Sequence, residues 1–268
     1  MTARHFRLVA TDLDGTLLRS DTSVSERTRN TLRAVREAGV QVTLVTARAP
    51  RWVTEIFARL GLDAGYAVCS NGAIVYDFAA DATLLHQRLS ADVSKRIVEA
   101  LREAAPGVAF ACERESMSFR EPHYVPLWPT PGMEVPRTDA LVFVAEPVSK
   151  LVVQHPQLTQ EELYALVAGI CGEDATATIS GEVLVEISAA GVTKAYALAA
   201  LCAEIGIESE AVLAFGDMPN DIPMLEWAGH GVAVRNAHPD VIAVADEVAD
   251  ANDDDGVAVA LERLLLGA

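Results

Sequence analysis

At 268 residues, with 38 acidic against 21 basic side chains, the chain has a formal charge of −17. That charge repels a phosphate backbone, so nucleic acid is excluded as an expected partner. No apolar run reaches the roughly 18–20 residues a bilayer span needs, and Met1–Phe6 lacks the features of a secretory signal, so the chain is expected to be cytoplasmic with no membrane partner.

The length suits two modest α/β domains. Phe6–Ala10 is an apolar run that predicts a buried strand, and Asp12-Leu13-Asp14-Gly15-Thr16 stands where it ends. Ser25–Ala38 is amphipathic, with Leu32 and Val35 on its apolar face, Ser25 as N-cap and Gly39 as stop. Val40–Val45 predicts a second strand, Pro50 opens a helix ending near Gly61, and Tyr66–Cys69 predicts a third strand. Strand–helix–strand units with short connections predict a parallel sheet, which binds ligands at the carboxyl ends of its strands.

After Asn71-Gly72 the pattern changes. Ala73–Tyr76 and Leu84–Arg88 flank a turn and predict a hairpin, and a helix over Ala91–Ala105 is stopped by Pro106-Gly107. Val108–Glu113 and Ser116–Arg120 predict strands, followed by a proline-rich stretch from Glu121 to Pro136; Leu141–Ala145 fits strand or helix equally. A strand over Lys150–Gln154, a helix over Thr159–Cys171 and a strand pair over Ala175–Ser180 and Val183–Ile187 complete an α+β region. The alternating pattern then resumes: helix Lys194–Ile205, strand Val212–Phe215, a short helix near Ile222–Trp227 and strand Gly231–Val234. The acidic turn Asp253-Asp254-Asp255-Gly256 precedes a helix through Leu266. These elements predict a discontinuous core, residues 1–82 and 188–268, with an α+β domain inserted over 83–187.

Four strand-end signals suggest chemistry. Residues alternate along an extended segment, so Asp12 and Asp14 share a side, and their mutual repulsion calls for a metal site, an acid/base pair or both. Thr46-Ala47-Arg48 follows the second strand, and the Thr46 hydroxyl can hold a phosphate oxygen without adding charge. Lys194 begins a helix, where the dipole disfavours a cation, so a partner anion is expected. Gly216-Asp217-Met218-Pro219-Asn220-Asp221 offers Asp217 and Asp221 to an oxygen-preferring cation, with Asp221 as the N-cap of the next helix as the plainer alternative. The four cysteines form no CxxC pair and the six histidines no HxH or HExxH pattern, so zinc or redox chemistry has little support.

Together, DxDGT, the spaced lysine and GDxxND resemble the haloacid dehalogenase-like hydrolases, more narrowly the Cof-type sugar-phosphate phosphatases with a subclass IIB cap. The resemblance implies a Rossmann-like parallel-sheet core with an inserted α+β cap. It implies an Mg²⁺-dependent phosphatase acting on small phosphorylated metabolites, as a monomer or small homo-oligomer. Asp12 is then the nucleophile and Asp14 the general acid/base, while Thr46 and Lys194 bind the phosphoryl group. Arg48, Asn71, Gly72 and Asn220 lie on the substrate side. The metal site takes Asp12, Asp14 (through its backbone carbonyl), Asp217 and Asp221. Arg235 stands where relatives commonly have glycine, which leaves the role of Asn236 open. A phosphomutase would use the same residues; a phospho-receiver-like signalling module or a silent binding protein are the readings from other classes. Tyr124 and Trp128, in the proline-rich stretch, are the candidate substrate-facing residues of the insert.

Overall fold

The computed structural model describes residues 6–62, 64–115, 117–127, 134–181 and 183–267. Ser116, Trp128 and the rest of 128–133 in the proline-rich stretch lie outside the described residues. The chain forms two compact units, Met1–Leu85 with Thr193–Ala268, and His86–Val192.

In the first unit β1 (Leu8–Thr11) leads through α1 (Glu26–Glu37), β2 (Gln41–Val45) and α2 (Pro50–Leu60) to β3 (Tyr66–Cys69). The chain then doubles back through β4 (Ile74–Asp77) and β5 (Ala82–His86). Helix α1 shows how local sequence sets an element. Ser25 accepts a hydrogen bond from the Thr28 N–H, Glu26 lies in the first turn and Arg36 in the last, so cap and helix dipole agree. Thr28, Thr31, Leu32 and Val35 recur at helical spacing and form its buried stripe. Full burial of Leu32 and Val35 stabilises the unit by roughly 1.5–3 kcal/mol each.

The second unit runs α3 (Ala91–Ala104), β6 (Ala109–Arg114), β7 (Met117–Arg120), α4 (Ala140–Phe143), β8 (Lys150–Gln154), α5 (Gln160–Cys171), β9 (Ala175–Thr178) and β10 (Val185–Ala189). Its sheet has the order β7-β6-β8-β10-β9, with neighbours antiparallel. Period-two alternation puts Phe110, Cys112, Leu151, Val153, Val185 and Ile187 into a core with Ile97, Leu101, Leu163 and Val167 of α3 and α5. On the alternate positions Lys150 and Glu186 form a buried ion pair. Of the ambiguous Leu141–Ala145, Leu141–Phe143 lie in a short helix that the Asp139 side chain caps by accepting from the Leu141 N–H, and Val144-Ala145 turn out of it.

The first unit then continues with α6 (Lys194–Ile205), β11 (Val212–Gly216), α7 (Ile222–Trp227), β12 (His230–Val234), α8 (Pro239–Val244), β13 (Glu247–Ala249) and α9 (Gly256–Leu261). Helix α8 and strand β13 occupy a stretch where the sequence pattern marked no element. At six and three residues they are too short to show a period.

Among the described residues the large sheet has the order β13-β12-β11-β1-β2-β3-β4-β5. It is parallel from β13 to β3 and antiparallel between β3 and β4. The hairpin after Asn71-Gly72 therefore extends the core sheet rather than opening the insert. The units divide at Leu85/His86 and Val192/Thr193, not at 82/83 and 187/188. The reason is pairing: β5 is the edge of the large sheet, and β10 runs on to Ala189 against β9. Strand β1 lies between β2 and β11, and the chain leaves it in opposite directions on its two sides. Such a switch point opens a crevice at the strand ends, and Asp12 sits there. No helix among the described residues is long and apolar enough to cross a membrane.

Candidate active site

Asp12 directly follows β1, and its N–H donates to the Phe215 carbonyl at 3.0 Å, extending the β1–β11 ladder by one residue. Its carboxylate is buried against Lys194, the first residue of α6. The Lys194 Nζ donates to Asp12 Oδ1 and to Asp221 Oδ1, each at 2.6 Å. The anion expected for this misplaced cation is thus a pair of carboxylates. Asp221 uses its other oxygen to accept from the N–H groups of Asp217 and Met218, each at 3.1 Å. It braces the turn after β11, and α7 begins with no side-chain cap from it. Asp217 accepts from the Thr16 hydroxyl at 2.6 Å. One carboxylate oxygen from each of Asp12, Asp217 and Asp221 lies within 4.8 Å of the others.

Three buried carboxylates face one ammonium, and their proton affinities reflect the imbalance. Burial raises the Asp12 carboxyl well above its usual range; Lys194 opposes the rise, while Asp221, Asp217 and Asp14 add to it. Burial, then Asp221, pushes Asp217 up to about 7 against the Thr16 hydrogen bond and Lys194. Burial pulls the Lys194 ammonium down, but Asp12 and Asp221 outweigh it and hold its affinity for the proton above the ordinary lysine range. An all-oxygen group short of positive charge fits a hard divalent cation.

The Asp14 carboxylate lies outside this group and is gripped by Arg48, whose Nε donates to Asp14 Oδ2 at 2.7 Å and whose second nitrogen bonds Oδ1. The loop doubles back at once, since the N–H groups of Thr16 and Leu18 both donate to the Leu13 carbonyl. Gly15 makes that turn possible with a φ of +80°, and a Cβ there would overlap Asp217 Oδ2. Thr46, buried after β2, accepts from the Arg48 N–H at 3.1 Å.

The turn after β3 is strained. Ser70, Asn71 and Gly72 have φ of 50°, 56° and 99°, a left-handed run that is costly for the first two. The N–H of Asn71 donates to the Thr46 carbonyl at 3.1 Å, and its Oδ1 accepts from Asn220 Nδ2 at 3.0 Å. A Cβ on Gly72 would lie 2.6 Å from the Thr193 carbonyl carbon, so only glycine lets the start of α6 come this close.

The structure therefore brings Asp12, Lys194, Asp217 and Asp221 into one group, joins Asp14, Arg48 and Thr46 beside it, and pairs Asn71 with Asn220. Thr16, as the partner of Asp217, was visible in the sequence only as the end of DxDGT. Asn252, whose side chain donates to the Leu18 carbonyl, had no signal there.

A family model for haloacid dehalogenase-like hydrolases matches residues 9–261. The chain is 30% identical to Phosphatase YwpJ of Bacillus subtilis (strain 168), over 97% of this chain and 100% of that protein. It is 28% identical to 5-amino-6-(5-phospho-D-ribitylamino)uracil phosphatase YitU of the same organism, over 94% of each. The solved structure of BT1666 from Bacteroides thetaiotaomicron, a phosphatase of the same superfamily, is similar with a TM-score of 0.81 at 26% identity, covering 98% of this chain and 96% of its own. The chain belongs to the haloacid dehalogenase-like hydrolase family, on its phosphatase branch.

Proposed function

We propose that this phosphatase hydrolyses small phosphate monoesters, sugar phosphates or related phosphometabolites, through a covalent phosphoryl group on Asp12. The observation that carries the reading is the buried Asp12 carboxylate, bonded to Lys194 at the switch point of the sheet and grouped with Asp217 and Asp221. An Mg²⁺ ion held by Asp12, Asp217 and the Asp14 backbone carbonyl would neutralise charge between carboxylate and phosphate. Asp221, with both oxygens engaged, supports that site by fixing Lys194 and the Asp217 backbone.

In the first step a carboxylate oxygen of Asp12 bonds to phosphorus, the bond to the leaving oxygen breaks, and protonated Asp14 gives that oxygen its proton. In the second, Asp14, now a carboxylate, takes a proton from the attacking water. The water oxygen bonds to phosphorus as the bond between Asp12 and phosphorus breaks, and inorganic phosphate leaves. Lys194 and the Thr46 hydroxyl hold the non-reacting phosphoryl oxygens, and Arg48 orients Asp14. Arg48, Asn71, Gly72 and Asn220 border the substrate.

The test is release of inorganic phosphate from a panel of phosphorylated metabolites with Mg²⁺. Chelation abolishes it, and Asp12→Asn is inactive while folded. Undiminished turnover in Asp12→Asn overturns the nucleophile assignment, and a phosphoryl group moved within the sugar instead of released overturns hydrolysis.

A further inference from the structure

Asn236 follows β12 and Asn252 follows β13, and neither belongs to the group around Asp12. Both nevertheless reach the loop that carries Asp12 and Asp14. Asn236 Nδ2 donates to the Gly15 carbonyl at 2.8 Å, and Asn236 Oδ1 accepts from the Asn252 N–H at 2.9 Å. Asn252, buried, passes the chain on by donating its Nδ2 to the Leu18 carbonyl at 3.0 Å. The acidic turn continues the grip. Ser20 donates its N–H and its hydroxyl to the two oxygens of Asp253, each at 2.8 Å. Arg19 holds both oxygens of Asp255 at 2.9–3.1 Å. Two of the three acids in Asp253-Asp254-Asp255 are thus committed to the nucleophile loop.

The placement matters because the loop has to hold two carboxylates in different directions within three residues. Asp12 is turned to Lys194 and Asp14 to Arg48, with Gly15 pressed against Asp217 between them. Inside the loop the N–H groups of Thr16 and Leu18 donate to the Leu13 carbonyl and Asp14 bridges Leu18, so its internal bonds gather on the Leu13 side. The outer carbonyls of Gly15 and Leu18 are taken by the two asparagines, so the far side of the loop is fixed from β12 and β13.

We propose that Asn236 and Asn252 are positioning residues, a clasp that holds the loop 13–20 so that Asp12 and Asp14 keep their geometry through both steps. The inference rests on the roles given to those two aspartates. It assigns to Asn236 a bond to the backbone of the nucleophile loop rather than to phosphate.

The test compares Asn236→Ala and Asn252→Ala with Arg235→Ala. The last removes the exposed pair of Arg235 with Asp250 next door and leaves the clasp intact. In metal-free protein, amide exchange over residues 16–20 quickens at least about threefold in both asparagine variants, the worth of one lost hydrogen bond. It keeps its wild-type rate in Arg235→Ala. With saturating Mg²⁺, kcat for phosphate release falls about ten- to hundredfold in the asparagine variants while KM stays within about threefold, as misplacement of reacting groups requires. Faster exchange with unchanged kcat, unchanged exchange, or a rise in KM that accounts for the lost activity each overturns the clasp. An active Asp12→Asn instead overturns the nucleophile reading and leaves the exchange comparison standing. Asn236, at the surface, keeps the test open if Asn252→Ala fails to fold.

Discussion

Replacing Asp217 by Asn is expected to stabilise the metal-free protein above neutral pH while abolishing its response to Mg²⁺. The carboxyl has a folded value of about 7 against an ordinary 3.8, raised first by burial and then by Asp221. Below 3.8 the group is protonated whether the chain is folded or not, and it costs nothing. Between 3.8 and about 7 the unfolded chain releases the proton and the folded one keeps it, so stability falls as pH rises. Above about 7 both forms are ionised, and the penalty levels off at about 4 kcal/mol, three pH units at about 1.4 kcal/mol each. At pH 5 only about a third of it is present. The amide keeps the acceptor for the Thr16 hydroxyl and cannot ionise. It also removes one of the charges that raise Asp12. The Tm of Asp217→Asn in chelator should therefore pull ahead of wild type by roughly 5–10 °C more at pH 8 than at pH 5, at about 2–4 °C per kcal/mol for a chain of this size. With Mg²⁺ the gap at pH 8 is expected to narrow, because binding stabilises the wild type alone, and to reverse only near a thousandfold excess over Kd, where binding contributes about 4 kcal/mol. Parallel Tm curves from pH 5 to 8 in chelator would refute the electrostatic argument, and equal Mg²⁺ stabilisation of both proteins would refute the metal assignment.

Three further outcomes are expected. Asp14→Asn slows hydrolysis of alkyl phosphates more than of nitrophenyl phosphate, because a good leaving group needs no proton; equal losses on both would remove the acid role. Gly72→Ala, at φ +99° and against the Thr193 carbonyl, loses about 2–4 kcal/mol and much of its kcat, since Lys194 is the next residue. Gly39→Ala, at φ +85° with nothing within 4 Å, loses about 1 kcal/mol and no kcat; identical behaviour of the two glycine variants would contradict the packing account. Tyr124→Ala tests the expectation that the insert sets substrate choice: KM for the preferred sugar phosphate rises and the substrate panel is reordered while nitrophenyl phosphate is spared. An unchanged ranking would leave selectivity to other residues of the insert.

The strongest local signals were legible without coordinates. Apolar runs ending in Asp12, Thr46 and Asp217 marked strand ends because a strand buried on both faces must be apolar along its length, and its end is where polar groups can begin. The cap at Ser25 was readable because a side chain satisfies backbone donors only two or three residues away. The spaced motifs likewise pointed to Asp12, Asp14, Lys194 and Asp217 before any distance was known.

What tertiary structure alone decided is which of these groups meet. Alternation placed Asp12 and Asp14 on one side, but the turn at Gly15 and the Arg48 fork separate them, so Asp12 joins Asp217 and Asp221 while Asp14 does not. Strand β13 was invisible because three residues carry no period, and the edge position of β5 follows from pairing rather than composition. Asn252 reaches Leu18 across 234 positions of sequence. No local pattern encodes such a bond, because a parallel sheet brings strand ends together in an order set by its crossovers and not by the sequence distance between them.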